Sequence, residues 1–342
     1  MWREKPDILW FMTDPRFWSW LWEMDTEIRA NIPMVYYHVW DNYPYPKFNK
    51  KFYESNDVVV SISKLTNDIV KNVAPEVELH HIQHAVNTDV YKNLGDDIKE
   101  NLRKQNKVPN GGNLSSRFVV LFNSRNARRK HTGTLIFWFK EFLDKVGHDK
   151  ATLLMHTEPT DSNGPDLETI VRDLGLQNGQ VLFSREKIEE HQLAALYNLA
   201  DVTVNISDAE GFGLSCLESL ACETPVIVNK TGGLQEQVTD GKNEFGVGLS
   251  PSSKMIVGSQ MVPYVGEDRI LKEDFIDALE KLWNMKPTQR ADLGKLGRQH
   301  VLKNYNFKDF NEKWVETMEN IHEKHGSWKN RKNYKPYKVV TL

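Results

Sequence analysis

Two carboxylates and two glycines fall close together in Asn205-Ile-Ser-Asp-Ala-Glu210-Gly211-Phe212-Gly213-Leu214-Ser-Cys-Leu-Glu218, and their order can do chemistry. An apolar run ends at Asn205, the glycines make a loop, and a helical pattern starts near Leu214. Glycines let a ligand approach the backbone closely, and the free N–H groups of a helix start attract an anion such as a diphosphate. Glu210 lies in the loop and Glu218 about one turn into the helix. One carboxylate can therefore meet sugar hydroxyls while the other accepts bonds from a ribose diol. A second segment, Leu121-Phe-Asn-Ser-Arg125-Asn-Ala-Arg128-Arg129-Lys130, also follows an apolar run, precedes a helical one and concentrates fixed cations. On glycine content alone the first segment is a plain strand–turn–helix connection with surface glutamates. The second is equally a solvated basic turn.

Alternating strands and helices position both segments. Short apolar runs at 8–12, 34–37, 57–60 and 79–82 read as strands, with helical stretches at 16–30 and 64–71. A polar, Gly/Asn-rich stretch from Asn93 to Ser116 follows and reads as a linker or surface excursion. Strand patterns then recur at 117–122, 151–155, 180–183, 201–205 and 225–229, with helices at 133–146, 166–174, 189–199 and 214–222. The last part is helical, at 272–283, 288–304 and 307–322, and ends in a basic, aromatic tail over 326–342. Such alternation implies βαβ units and parallel sheets, which bind ligands outside the carboxyl ends of their strands. The expected fold is α/β with two Rossmann-like domains facing a cleft: an acceptor-side domain at 1–112, a donor domain at 113–306, and a C-terminal helix and tail at 307–342.

The chain has 342 residues, 27% of them charged, and a net charge of −3. That balance excludes a disordered or fibrous chain and leaves no global field for nucleic acid. Its two cysteines, Cys216 and Cys222, stand in an apolar stretch without zinc-ligand spacing, as buried thiols of a reducing compartment would. No run reaches transmembrane length and the first residues lack a signal-peptide core, so a cytoplasmic protein is expected, with peripheral membrane contact left open.

The segment Glu210–Glu218, with Glu-Ser-Leu-Ala-Cys-Glu223-Thr-Pro-Val-Ile after it, resembles the signature of family 4 retaining glycosyltransferases of the GT-B fold. In that family two glutamates are separated by seven residues, as Glu210 and Glu218 are. Arg125 and Lys130 match the family's Arg and Lys, which reach the donor diphosphate. Fixed cations there can neutralise charge on a departing nucleotide. The family usually has Gly where this chain has His131 and Glu223. Thr231-Gly232-Gly233 resembles the loop that approaches the phosphates, though a helix-initiating turn explains it equally well. Phe183-Ser-Arg185-Glu-Lys-Ile188 resembles the segment that contacts the base. His38, closing the run Val35-Tyr-Tyr-His38, resembles a strand-end His near the acceptor and reacting sugar; a structural role is as good a reading.

The resemblance implies a retaining hexosyl transfer from a nucleotide-diphosphate sugar to a glycan, lipid or small-molecule acceptor, with the nucleotide sugar as co-substrate, no cofactor and no metal. His38, Arg125, Lys130 and Glu210 would be catalytic. Arg125, Lys130, Arg185, Ile188, Glu210, Gly211, Phe212, Gly213, Leu214, Glu218, Gly232 and Gly233 would bind the donor. Family members open with a strand, a glycine-rich loop and further strands before a segment like 6–12. The first domain is accordingly expected to lack its opening strands, which a partner could supply. The rival reading is a catalytically incomplete GT-B subunit that binds nucleotide sugar; epimerisation and phosphorolysis are further off. The insertion at 250–269 has no assigned function.

Overall fold

A computed structural model describes residues 3–109 and 111–335. The chain divides into two compact units, one of Met1–Ala85, Ile256–Glu267 and Phe307–Leu342, the other of Val86–Met255 and Asp268–Asn306.

The first unit is built on four parallel strands in sequential order, β1 (Leu9–Thr13), β2 (Met34–His38), β3 (Val58–Ser61) and β4 (Glu78–His81). The residues of β2 and β3 are all buried, as covering on both faces of a parallel sheet requires. Tyr36, Met34 and Val59 of this sheet pack with Phe11, Trp22, Ile28, Tyr53 and Ile69. The helical stretch expected at 16–30 is broken into Pro15–Phe17, Ser19–Trp22 and Asp25–Arg29. Trp18 and Met24, at φ −116° and −105°, leave the helical region. Trp22 is then buried while Trp20 stays 55% exposed.

The C-terminal segment belongs to this unit rather than forming a region of its own. Trp314, on helix Phe307–His325, packs edge-on against Tyr37 and Trp10. The described part of the tail is tied down as well: Trp328 donates to the Pro6 carbonyl at 2.7 Å and Arg331 to Asp57 at 2.5 Å. Asp57 in turn accepts from the Met34 amide. Residues 336–342 of the predicted tail lie outside the described residues.

The second unit has six parallel strands, β5 (Phe118–Asn123), β6 (Ala151–His156), β7 (Val181–Ser184), β8 (Val202–Asn205), β9 (Val226–Asn229) and β10 (Gly246–Leu249). Their spatial order is β10-β9-β8-β5-β6-β7. This is the doubly wound order of dinucleotide-binding sheets, with its switch point between β5 and β8. The loops that leave the carboxyl ends of those two strands are the two segments singled out by their chemistry.

The boundary between the units falls at Ala85, not near residue 112. The stretch read as a linker carries helix Asp96–Gln105, which Arg103 fastens to the second unit through Asp201 at 2.8 Å and the Leu199 carbonyl. Polar composition there marks a solvent-facing helix rather than a flexible connection. The insertion at 250–269 forms a two-stranded sheet, β11 (Ser253–Val257) with β12 (Val265–Arg269).

Candidate functional site

Lys130 and Glu210 come together at the switch point. Lys130 ends the turn Arg128–Lys130 after β5, and Glu210 stands in the loop after β8. Lys130, only 6% exposed, forms a close ion pair with Glu210 Oε2. Arg129 Nη1 lies 3.8 Å from the same oxygen and Asn205 Nδ2 3.5 Å from it. Burial pushes the Glu210 carboxyl up, but the charges of Lys130 and Arg129 outweigh it and hold the group below the usual carboxylate range.

Glu218 has the opposite surroundings. It sits on helix Leu214–Ala221 and accepts a 2.6 Å bond from the Tyr197 hydroxyl, which itself accepts from Asn123 at the end of β5. Burial raises its carboxyl, and among the described residues no cation offsets that. Two glutamates with seven residues between them thus differ in electrostatic state, one held as an anion by cations and the other desolvated beside a phenol.

The glycines have a closer-range reason than the ligand. Gly213 caps helix Leu214–Ala221 at φ +93°, a conformation that L side chains resist. Gly232, at φ +52°, presses so closely on the Glu210 backbone that a Cβ there would overlap its carbonyl. The amide of Gly233 donates to that carbonyl at 2.9 Å, and a Cβ on Gly233 would come 2.6 Å from the Phe212 oxygen. The loops after β8 and β9 therefore touch main chain to main chain. Gly232→Ala should cost about 2–4 kcal/mol from the clash and the left-handed strain together. Urea denaturation would read it, and wild-type stability would show that the loops do not meet this way. Phe212 is buried against Tyr305, whereas Leu214 is partly exposed.

The remaining expected residues are placed differently. Arg125 is exposed and gripped by Asp161 through both its Nε, at 2.6 Å, and its Nη2, at 3.2 Å. Arg129, not Arg125, is the arginine beside the Lys130–Glu210 pair. Arg185 pairs with Glu168 and lies over the Phe183 ring, with Ile188 partly exposed in the following turn. His38, in the first unit, is fully buried; its Nδ1 meets the Tyr36 hydroxyl at 2.9 Å and its Nε2 the Tyr53 hydroxyl at 2.8 Å. Burial lowers it to about 3, so both nitrogens are committed to packing in a neutral ring. The strand-end position is as expected, and the ring points into the aromatic core between Tyr36 and Tyr53.

Sequence reasoning did not find Tyr197 or Asp161, because no local pattern ties them to partners 21 and 36 residues away. His131 and Glu223 carried a signal whose meaning emerges here. They adopt φ +54° and +62°, left-handed positions where glycine is the easy choice. Cys216 and Cys222 are buried free thiols, each pushed up to about 12 by desolvation. Among the described residues no group of three or more His, Cys, Asp or Glu is placed to hold a metal ion, and no helix is long and apolar enough to cross a membrane.

Two Rossmann-like units, the second doubly wound with a charged pair at its switch point, define a GT-B fold. The sucrose-phosphate synthase of Thermosynechococcus elongatus superposes with a TM-score of 0.72 at 20% identity, over 93% of this chain and 74% of that one. Residues 103–257 match the family Glycosyl transferases group 1. The chain is 33% identical over 137 residues to the D-inositol 3-phosphate glycosyltransferase of Paenarthrobacter aurescens, 40% of this chain and 28% of that protein. It is 32% identical over 197 residues to the GDP-mannose-dependent alpha-(1-6)-phosphatidylinositol monomannoside mannosyltransferase of Mycolicibacterium smegmatis, 54% of this chain and 47% of that protein. The chain therefore spans less than half the length of either relative.

Proposed function

We propose that this chain is a family 4 retaining glycosyltransferase that moves a hexose-type sugar from a nucleotide-diphosphate donor to an acceptor hydroxyl without a metal. The carrying observation is the Lys130–Glu210 pair at the switch point, one loop away from the desolvated Glu218. The donor diphosphate would lie at the start of helix Leu214–Ala221 beside Lys130 and Arg129, where fixed cations take up charge as the phosphate departs. Glu210 would receive the sugar hydroxyls and Glu218 the ribose diol. The anomeric carbon–phosphate oxygen bond breaks as the bond to the acceptor oxygen forms on the same face, and the acceptor proton passes to the departing phosphate. Arg125 would join only on release from Asp161, while Ser184–Ile188 would border the base.

A thermal-shift panel of UDP-, GDP- and ADP-sugars, with GDP-mannose included because one relative's name carries it, tests the reading on the 342-residue chain. One base should stabilise the protein, by about 2.7 kcal/mol at a hundredfold excess over Kd. No stabilisation by any of them would sink the donor site. Stabilisation without transfer to any acceptor would favour the incomplete, nucleotide-sugar-binding subunit.

A further inference from the structure

The insertion at 250–269 returns to the second unit at Asp268 and Arg269, beyond the residues 103–257 that match the family. Both side chains end on the loops that form the donor site. Arg269 Nε lies 3.2 Å from Asp208 Oδ1, and the ring of His131 lies 2.5 Å from the same oxygen. Asp208 is 1% exposed and stands two residues before Glu210; His131 directly follows Lys130. A single buried carboxylate therefore links Arg269 of the insertion to the residue that follows Lys130 and to the loop that carries Glu210.

Asp268 ties the third loop. Its amide donates to the Asp208 carbonyl at 3.0 Å, and its Oδ2 accepts from Thr231 Oγ1 at 2.8 Å. Its carbonyl accepts from Asn229 Nδ2, which also reaches the Ser207 carbonyl. Lys254 of β11 lies 3.2 Å from Asp268 Oδ1. On its inner side the same loop is held by Arg129, whose carbonyl accepts from the Asp208 amide at 2.9 Å. A buried carboxylate without a partner is costly, so Asp208 needs the Arg269 guanidinium it meets.

We infer that Arg269 and Asp268 are positioning residues of the donor site, a brace from outside the family domain that fixes the Glu210 loop against Lys130 and the Thr231–Gly233 loop. The inference rests on the donor reading above. Glu210 faces the sugar, whereas Glu218 and Tyr197 hang on a separate network. Loss of the brace should consequently weaken recognition of the sugar more than that of the nucleotide.

Calorimetric titration of the full chain with UDP-glucose, GDP-mannose and ADP-glucose, and with the bare diphosphates UDP, GDP and ADP, tests this. In Arg269→Ala the affinity for the nucleotide sugar that binds wild type should fall about tenfold or more, the scale of losing one charge-assisted contact. Affinity for its bare diphosphate should stay within about twofold on the same scale. Arg269→Lys, which keeps a cation toward Asp208, should recover most of the loss. Asp268→Ala should shift the ratio in the same direction, which keeps the test decisive if Arg269→Ala fails to fold. An unchanged ratio in both folded alanine variants, with wild type binding a nucleotide sugar, would overturn the brace alone. No binding of any nucleotide sugar by wild type would remove the donor reading and the brace with it. Equal loss of sugar and bare nucleotide would reduce these residues to a general structural role and also overturn the inference.

Discussion

Lys130→Met should lower sugar transfer by about two to three orders of magnitude, the scale of removing one preorganised group that meets developing charge. Lys130 is more buried than Arg129, the other cation beside Glu210, and pairs closely with that glutamate. In the proposed transfer such a fixed side chain would need little reorganisation as the phosphate departs. The substitution should also destabilise the fold, toward the lower end of the about 3–5 kcal/mol for stranding one member of a buried pair, because Arg129 remains 3.8 Å away. The double variant Lys130→Met/Glu210→Gln should regain stability without regaining transfer. A pH series sharpens the test. Glu210 is held below its unfolded value of 4.5, so its contribution is present above that value and lost as pH falls through the folded one. Wild type and Lys130→Met should differ most at neutral pH and converge in acid. Transfer at the wild-type rate in a folded Lys130→Met protein would remove the lysine from the mechanism.

Glu218→Ala should weaken donor binding by about 10- to 100-fold, as expected when hydrogen bonds to a charged acceptor are lost. The same position predicts a gain in stability under another substitution. Burial raises the Glu218 carboxyl above 4.5, so the folded state favours its neutral form and loses stability as pH rises through the folded value. Glu218→Gln keeps the shape and discards the charge. It should melt higher than wild type near neutral pH, and the gain should shrink as pH falls through the folded value and vanish below about pH 4.5, where the wild-type carboxyl is neutral in both states. Unchanged nucleotide affinity in Glu218→Ala would end its assignment to the ribose. A melting gain in Glu218→Gln that ignored pH would mean desolvation is not what burdens the site.

Much of the second unit was legible because its signals are local. Phe118–Phe122 is apolar throughout and Val202–Val204 is interrupted only by the buried Thr203, a pattern that suits strands buried on both faces, and each strand ends at an Asn from which a polar loop departs. The same locality failed where polar residues hid order. Asp96–Gln105 has no buried residue, yet a helix forms because Arg103 finds Asp201 almost a hundred residues later. The tail was equally unreadable, since Arg331 is ordered by Asp57 and not by its neighbours in sequence.

Residue type and spacing by themselves determined that Glu210, Glu218, Lys130 and two glycines would crowd the carboxyl ends of a parallel sheet. Those properties follow from short-range periodicity and turn chemistry, which need no distant partner. Only the tertiary structure decided which cation meets Glu210 and which is diverted. Arg129 and Arg125 share a loop and a charge, but Asp161 closes on one of them from another strand connection. It likewise turned His38 inward, because Tyr36 and Tyr53 offer two hydroxyls in a space that excludes water. Charge pairing and burial depend on what the fold places within a few ångströms, and sequence distance carries no record of that.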